Sequence, residues 1–419
     1  MLVDFSISNY KSIKEEQTLS MLSASIKEHP NNSFKIPREK LKLLKIAVIY
    51  GANGSGKSNL IEGLRDMTQF IHNSTDAKLG ESISYYQPFK LDRDCLNRPM
   101  HCDIEFIGID QIRYLYKFSF DASEILSEAL YFYPKKQEAK LFVREKGKRI
   151  DFGESLKGAK KSIENQLIPN HLFLSKAANS NHKQLGKVYE SIGRFLIIDT
   201  AQPQRLMRQT VEHTLTWKDN ELQDKMNTLL NYADTGVEKV ELKQVQSDAY
   251  HPSLSYLPFT THPIFEKGKE VGKAIFNITE ESKGTQQMYG LGGVLFAALS
   301  KGNTICIDEL DISFHPLMTE YLIKLFYNEE TNPKNAQLIF TTHDTSILKH
   351  ELFRRDQIWF AEKDYYGATN IYSLSEFHFD KVRANIPFDK WYLSGRFGAL
   401  PLFKEFEAEP VAGEKSEDS

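Results

Sequence analysis

An α/β fold built round a parallel sheet is predicted by three stretches, each an apolar strand that runs into polar residues. "LLKIAVIYGANGSGKSNLIEGLRDM" reads as a buried strand from Lys45 to Tyr50, a glycine-rich loop and a helix from about Ser58. "NTICIDELDISFHP", Asn303 to Pro316, is a short apolar strand ending in two adjacent carboxylates. "NAQLIFTTHDTSIL" places a further apolar strand, Gln337 to Thr341, directly before His343. Strands separated by helices return to the same sheet edge in parallel topology, so the polar ends of all three are expected together.

The remaining elements follow in order. Residues 1–50 read as strands ("LVDFSISNY", "KIAVIY") with a polar stretch around His29 to Ser33 between them. After the first helix, "MHCDIEFIGIDQIRYLYKFSFD" alternates strongly and turns at Ile107 to Asp110, an antiparallel hairpin. "SEALYFYP" and "AKLFVREKGKRIDF" continue that meander. From about Ser155 to Ala233 the pattern is helical and more polar ("ESLKGAKKSIENQ", "QLGKVYESIGRFL", "NELQDKMNTLLNYA"), before "GVEKVELKQV" and "KAIFNI" return to strand. Met288, Leu291, Val294, Leu295 and Leu299 then recur at helical spacing, so a buried helix starts near Thr285. "QIWFAEK" and "NIYSL" close the chain's strands, and "KEFEAEPVAGEKSEDS" reads as an acidic, disordered tail. There is no sustained heptad array, which excludes a long coiled-coil arm.

Composition sets the surroundings. The chain has 419 residues, a net charge of −3 and 41% hydrophobic residues, which suits a globular protein with ample core rather than one coated in phosphate-binding charge. Cys95, Cys102 and Cys306 lack metal-ligand spacing, so reduced thiols in a cytoplasmic setting are expected. No apolar run approaches the roughly 20 residues of a membrane span, and the N-terminus lacks a signal peptide's apolar region.

The strongest chemical signal is Gly51-Ala52-Asn53-Gly54-Ser55-Gly56-Lys57-Ser58, which fits G-x-x-x-x-G-K-[ST] at every fixed position. Glycines let the backbone wrap a triphosphate with consecutive N–H groups pointing inward. Asn53, Gly54, Ser55, Gly56, Lys57, Ser58 and Asn59 are the nucleotide-binding candidates; Lys57 reaches the β- and γ-phosphates and Ser58 ligates Mg²⁺. ATP and Mg²⁺ are therefore the expected cofactors. Asp308 at its strand end suits Mg²⁺, held directly or through water, and Glu309 suits polarisation of the attacking water. His343 is a γ-phosphate contact by this topology; a structural or surface histidine is the alternative. In "NITEESKGTQQMYGLGG", a hydroxyl, a cation and a glycine precede a helix whose N-terminus attracts anions, and an ordinary helix cap is the plainer alternative.

The order GANGSGKS, ESKGTQ, ICIDE, TTHD resembles the heads of ABC-type ATPases, within them the chromosome-maintenance, recombination-repair and OLD-type branch. It is similar, further, to the bacterial AAA family ATPases of abortive-infection and restriction-linked phage-defence systems. Their E-S-x-G-T-Q, D-E-L-D and Y-L-x-G-R-x-G-x-x-P runs stand here at Glu281–Gln286, Asp308–Asp311 and Tyr392–Pro401. The resemblance implies a P-loop NTPase of ABC-ATPase-like head type, with an antiparallel β subdomain and an inserted helical lobe. Its expected divisions are 1–154 for the first part of the head, 155–276 for the helical lobe, 277–403 for the second part of the head and 404–419 for the tail.

In such heads the signature loop serves the nucleotide of a second subunit. Ser282, Lys283, Gly284 and Thr285 would then face a phosphate loop in trans, and a homodimer through shared ATP sites, or a higher oligomer, is implied. Lys283 departs from the usual first glycine, and Thr285 stands where glutamine is common. His315 falls where an interface aspartate is usual, with Asp311 competing and a helix start at Pro316 as the plainer reading. Gln87 in "ISYYQPFKL" is the nearest candidate for the Mg²⁺-contacting glutamine, an exposed strand residue being the alternative.

No second carboxylate cluster supplies a nuclease, and the stretch after His343 is too short, once its strands and late motif are placed, for an added domain of at least about 50 residues. The expected function is thus an ATP-hydrolysing sensor or regulatory ATPase of an antiphage system, controlling a separate nuclease or toxin effector. The alternatives are an ATP-dependent scaffold with little turnover and a DNA-repair ATPase. Nucleic acid could meet Lys146–Arg149 with Lys157, Lys160 and Lys161, or these form a solvated face.

Overall fold

Strand β5 (Ile46–Tyr50) is buried along its whole length, and its side chains part by parity: Ala47 and Ile49 join one hydrophobic core, Ile46, Val48 and Tyr50 another. A strand buried on both faces belongs to a sheet covered on both sides. That sheet has six strands in the order β11 (Phe195–Ile198), β15 (Thr304–Ile307), β16 (Gln337–Thr341), β5, β17 (Ile358–Lys363) and β18 (Thr369–Ser373), parallel except for β18. The computed structural model describes residues 1–37, 39–217, 221–233, 235–246, 254–312, 314–377 and 387–401. The expected acidic tail, 404–419, lies outside them.

The first core is closed by helix α1 (Lys57–Asn73), through Leu60, Ile61, Leu64, Met67, Phe70 and Ile71, and by a seven-stranded antiparallel sheet. Its order is β10 (Asp151–Phe152), β9 (Ala139–Glu145), β8 (Ile125–Phe132), β7 (Arg113–Phe120), β6 (Met100–Ile107), β1 (Leu2–Ser8) and β2 (Gln17–Ser20). A small hairpin of β3 (Ser33–Lys35) and β4 (Lys42–Leu44) lies beside it in sequence.

The helical stretch after residue 155 divides between the two cores. Helices α2 (Lys161–Glu164), α3 (Phe173–Asn179) and α4 (Lys183–Ile192) pack into the first core through Ile163, Phe173, Leu174, Leu185, Val188 and Ile192. The buried carboxylate of Glu128 fixes them there: it accepts the N–H groups of Phe173 (2.7 Å) and Leu174 (2.9 Å), the orphan donors of α3, and the Tyr116 hydroxyl (2.8 Å). "GRFL", expected to be helical, instead stops α4 at Gly193 and opens β11, the edge strand of the parallel sheet. A separate lobe starting at 155 is therefore not what the packing shows.

Helices α5 (Pro203–Thr216) and α6 (Glu221–Tyr232) and the antiparallel sheet β12 (Lys239–Gln246), β13 (Leu254–Glu266), β14 (Lys269–Asn277) follow. Leu206, Met207, Met226, Leu229 and Val240 carry this segment into the second core, against α7 (Lys283–Lys301) and α8 (Pro316–Tyr327). Gly293 sits where a Cβ would stand 2.2 Å from Thr210, so α5 and α7 touch at backbone distance. A last short helix, α9 (Phe388–Leu393), lays Phe388 and Tyr392 on the same core. No helix is long and apolar enough to cross a membrane, among the described residues.

Candidate functional site

Three neighbouring strands of the parallel sheet end at one edge, and each delivers one part of the site. From β5 the chain enters the loop Gly51–Gly56. Gly56 caps α1 at φ +103°, and a Cβ there would stand 2.0 Å from Thr369 Oγ1. The same Thr369 hydroxyl donates to Ser55 O at 2.8 Å, so β18 supports the loop from beneath. Ser12 Oγ adds a second prop, accepting from Asn59 Nδ2 at 2.6 Å. Asn53 and Gly54 form the exposed crest, with Gly54 at φ +75°. Lys57 is buried, and its Nζ donates to Gly51 O (2.8 Å) and Ala52 O (3.0 Å). Its ammonium thus folds over the loop's own carbonyls. Burial lowers the Lys57 pKa to about 8, against the opposing pull of Asp308, Glu309 and Asp311. Ser58, half-buried, is the second residue of α1.

From β15 come Asp308 and Glu309. Thr341, the last residue of β16, organises both: its Oγ1 donates to Asp308 Oδ1 (2.6 Å) and accepts the Glu309 N–H (2.7 Å). Glu309 adopts φ +53°, a left-handed conformation that costs a non-glycine residue free energy and aims its side chain out of the sheet edge. His343 follows two residues after Thr341, with Nε2 3.8 Å from Glu309 Oε1. Burial, and then the Lys57 charge, push the His343 pKa below its usual value, with the three carboxylates opposing, so the imidazole is neutral at pH 7. Lys57, Asp308, Glu309, Asp311 and His343 therefore share one electrostatic environment at the sheet edge.

The donor set fits a nucleotide with a divalent ion. Asp308 keeps one carboxylate oxygen outside its bond to Thr341, and Ser58 offers a hydroxyl. Among the described residues no group of three or more His, Cys, Asp or Glu could hold a metal by itself. A cation here would take phosphate oxygens and water as its other ligands, the habit of Mg²⁺.

The other expected residues fall differently. Gln87 is not on a strand and is not turned to Ser58: its Nε2 donates to Asp66 Oδ2 at 3.3 Å, eight residues and so roughly 12 Å along α1. Engagement by Asp66, which also takes the Tyr10 hydroxyl at 2.6 Å, holds it there. Sequence reading passed over a glutamine that follows the edge strand β11. β11 pairs with the Asp308 strand, and Thr200 just beyond it donates to Asp308 O at 3.2 Å. Gln202 follows at the head of α5, bound to Asp199 at 2.7 Å. The signal was the strand in "FLII", which went unread as a strand.

His315 caps α8, its Nδ1 accepting the Leu317 N–H at 3.3 Å, with Pro316 at the first helical position. Asp311 Oδ1 is buried without a hydrogen-bond partner among the described residues. Lys146 pairs with Glu124 at 2.6 Å and Lys148 pairs with Glu145, so two of the three cations at 146–149 are paired within the chain.

Ser282 and Thr285 begin α7. Ser282 Oγ accepts the Thr285 N–H at 3.2 Å and lies 2.9 Å from Thr285 Oγ1, an N-cap in its own helix. The approach is fixed from behind, because Glu281 accepts from Thr260 and from His262 Nε2 (2.7 Å) on β13. Ser282 and Lys283 are exposed and Gly284 is half-buried. No hydrogen bond or ion pair joins residues 282–285 to residues 51–59 of the same chain, among the described residues.

The chain is similar to known proteins to different extents. Residues 46–349 match the family described as "AAA domain, putative AbiEii toxin, Type IV TA system". The curated protein "Retron Vc95 probable ATPase" of Vibrio cholerae serotype O1 biovar El Tor is 23% identical over 361 residues, 72% of this chain and 66% of that protein. The chain thus spans just under two thirds of that relative's length. Among solved structures, an Smc head bound to the C-terminal winged-helix domain of ScpA aligns with a TM-score of 0.43 at 12% identity, covering 89% of this chain and 97% of that one. The recombination mediator RecF aligns with a TM-score of 0.36 at 10% identity, covering 88% and 98%.

Proposed function

We propose, for a chain that belongs to the AAA-domain family matched over residues 46–349, that it is an ATP-hydrolysing switch whose active site is completed by a second copy. The observation that carries this reading is the gathering of Lys57, Asp308, Glu309 and His343 at the ends of three adjacent strands. ATP lies along Gly51–Ser58, its phosphates held by loop N–H groups and the N-terminus of α1, with Asn53, Gly54, Ser55, Gly56 and Asn59 shaping the cradle. Lys57 exchanges the carbonyls of Gly51 and Ala52 for phosphate oxygens. Ser58 and Asp308 would hold Mg²⁺, which would supply positive charge against the triphosphate. Glu309 accepts a proton from the attacking water, and neutral His343 donates a hydrogen bond to the γ-phosphate. Gln202, two residues past the Thr200 that bonds Asp308 O, takes the place expected of Gln87.

The trans contribution comes from Ser282 to Thr285. The exposure of Ser282 and Lys283, the fixed presentation of the run at a helix N-terminus and its lack of bonds to its own phosphate loop support a task on another copy. The α7 dipole and the Ser282 hydroxyl stabilise the developing charge there. Asp311 and His315 border the same interface.

The family's description as a toxin–antitoxin system and the similarity to a retron ATPase support a defence setting, in which ATP state restrains or releases a separate nuclease or toxin. Substituting Glu309→Gln tests the enzymatic part. MgATP binding persists, turnover falls at least about 100-fold, and a dimer or larger assembly accumulates in ATP. Unchanged turnover in this variant would refute the role given to Glu309.

A further inference from the structure

The late run Tyr392-Leu393-Ser394-Gly395-Arg396-Phe397-Gly398-Ala399-Leu400-Pro401 has no part in the chemistry above, yet it touches the phosphate loop directly. Ala52, the second residue of the loop, donates its N–H to Ala399 O at 3.0 Å. The Tyr392 hydroxyl donates to the same oxygen at 3.1 Å. From the other side, Ala399 N–H donates to Glu362 Oε2 at 3.3 Å, and that carboxylate also lies 2.9 Å from the Tyr372 hydroxyl. Tyr372 reaches Phe397 O at 2.7 Å as well. Ala399 is thus gripped at both its N–H and its carbonyl, and it presents that carbonyl to the loop.

The run's residue types follow from this grip. Ala399 is buried at φ +57°, a conformation a non-glycine residue holds only when its surroundings impose it. Gly398, at φ +69°, leaves room for the Tyr372 hydroxyl and Glu362, which a Cβ would approach to 2.7 and 2.8 Å. Gly395 turns the chain at φ +78° just after α9, and Gly398 N–H bonds back to Gly395 O at 3.2 Å. Tyr392 also stands 5.9 Å, ring to ring, from Tyr50, the last residue before the loop. Both ends of the Tyr50–Ala52 segment are therefore set by one late element.

We propose that Glu362, Tyr392 and Ala399 form a latch that positions the phosphate loop for the triphosphate. The inference rests on the nucleotide reading given above. Its physical content concerns the residue that Lys57 must release. Lys57 holds Gly51 O and Ala52 O, and binding ATP removes that tether. Ala52 then keeps its place through its N–H and Ala399, beside the Ser55 N–H that its carbonyl accepts at 3.1 Å. The latch sets the loop in the open conformation that phosphates enter, so loss of the latch weakens binding more than it slows chemistry at Glu309. These are positioning residues, with no contact to the reacting atoms.

The test uses the full chain, with Mg²⁺ and ATPγS as the binding probe and ATP for steady-state turnover. Glu362→Ala raises the ATPγS Kd and the ATP KM about fivefold to tenfold, the scale of one lost hydrogen bond, with kcat within about twofold of wild type. Glu362→Gln keeps an oxygen to accept the Ala399 N–H and restores both constants to within about twofold. Tyr392→Phe, which keeps the ring stack, raises KM about threefold and serves if Glu362→Ala does not fold. A purely architectural role would instead lower the melting temperature without moving KM, and that outcome overturns the latch. Lys57→Ala runs beside these variants. If it abolishes ATPγS binding while Glu362→Ala or Tyr392→Phe binds as wild type, the latch alone fails. If Lys57→Ala still binds ATPγS, the nucleotide reading fails and takes the latch with it.

Discussion

Thr341 and Asp308 are joined by a 2.6 Å hydrogen bond, and the oxygen that makes it also accepts the Glu309 N–H at 2.7 Å. One hydroxyl on β16 thereby sets both carboxylates at the end of β15, including the left-handed turn at Glu309. The acidic pair is held by its neighbour strand rather than by its own loop.

Replacing Thr341→Val keeps the shape and removes the hydroxyl. The Glu309 N–H then lacks its acceptor, a cost of about 1–3 kcal/mol, and the strained turn loses its main restraint. ATP turnover falls about 10- to 100-fold while ATPγS binding stays near wild type, because Lys57 and the loop are untouched. Steady-state kinetics beside calorimetric binding checks this; equal loss of both would mean that Thr341 supports the whole sheet edge.

Lys57 predicts a pH dependence of binding. With its pKa lowered to about 8 by burial, the free protein loses the ammonium as pH rises through that value. Bound phosphate favours the charged form, so binding above pH 8 must take up a proton and the ATPγS Kd rises with pH. Below about pH 7 the Lys57 contribution is complete. Lys57→Arg, charged throughout, shows no such rise between pH 7 and 9.5. A wild-type Kd that is flat over this range would contradict the assignment.

Gly56→Ala tests the cradle. The added Cβ meets Thr369 Oγ1 at 2.0 Å and Ser12 Oγ at 2.8 Å, at a φ of +103° that alanine resists. The loop shifts and the thermal stabilisation given by MgATPγS disappears. The melting temperature of the free protein checks that the fold survives.

The legible parts of this sequence were those whose physics is local. The phosphate loop is a run of consecutive residues, and β5, β15 and β16 are continuous apolar stretches, so their polar ends could be paired through topology alone. β11 was hidden because Phe195–Ile198 is four residues long and follows closely on the amphipathic helix α4. With it went Gln202, four residues past β11, since only that strand's pairing with β15 distinguishes it from any other glutamine. Helices α3 and α4 looked like part of a separate lobe because their attachment is long-range: a shared apolar core and, for α3, a buried carboxylate, Glu128, about 45 residues upstream. The late run was recognisable as a pattern but not as chemistry. Its meaning lies in contacts of Ala399 with Ala52 and Glu362, which no spacing encodes.

The central claim is that a nucleotide gripped by Lys57 in one copy is finished by Ser282 of another. Single-turnover ATP hydrolysis by Ser282→Arg, alone and mixed with Lys57→Ala, tests it most directly. The account predicts that Ser282→Arg binds ATP but does not hydrolyse it, and that an equal mixture of the two inactive variants regains roughly a quarter of wild-type activity, one intact site in half of the dimers. Wild-type turnover in Ser282→Arg alone would contradict it.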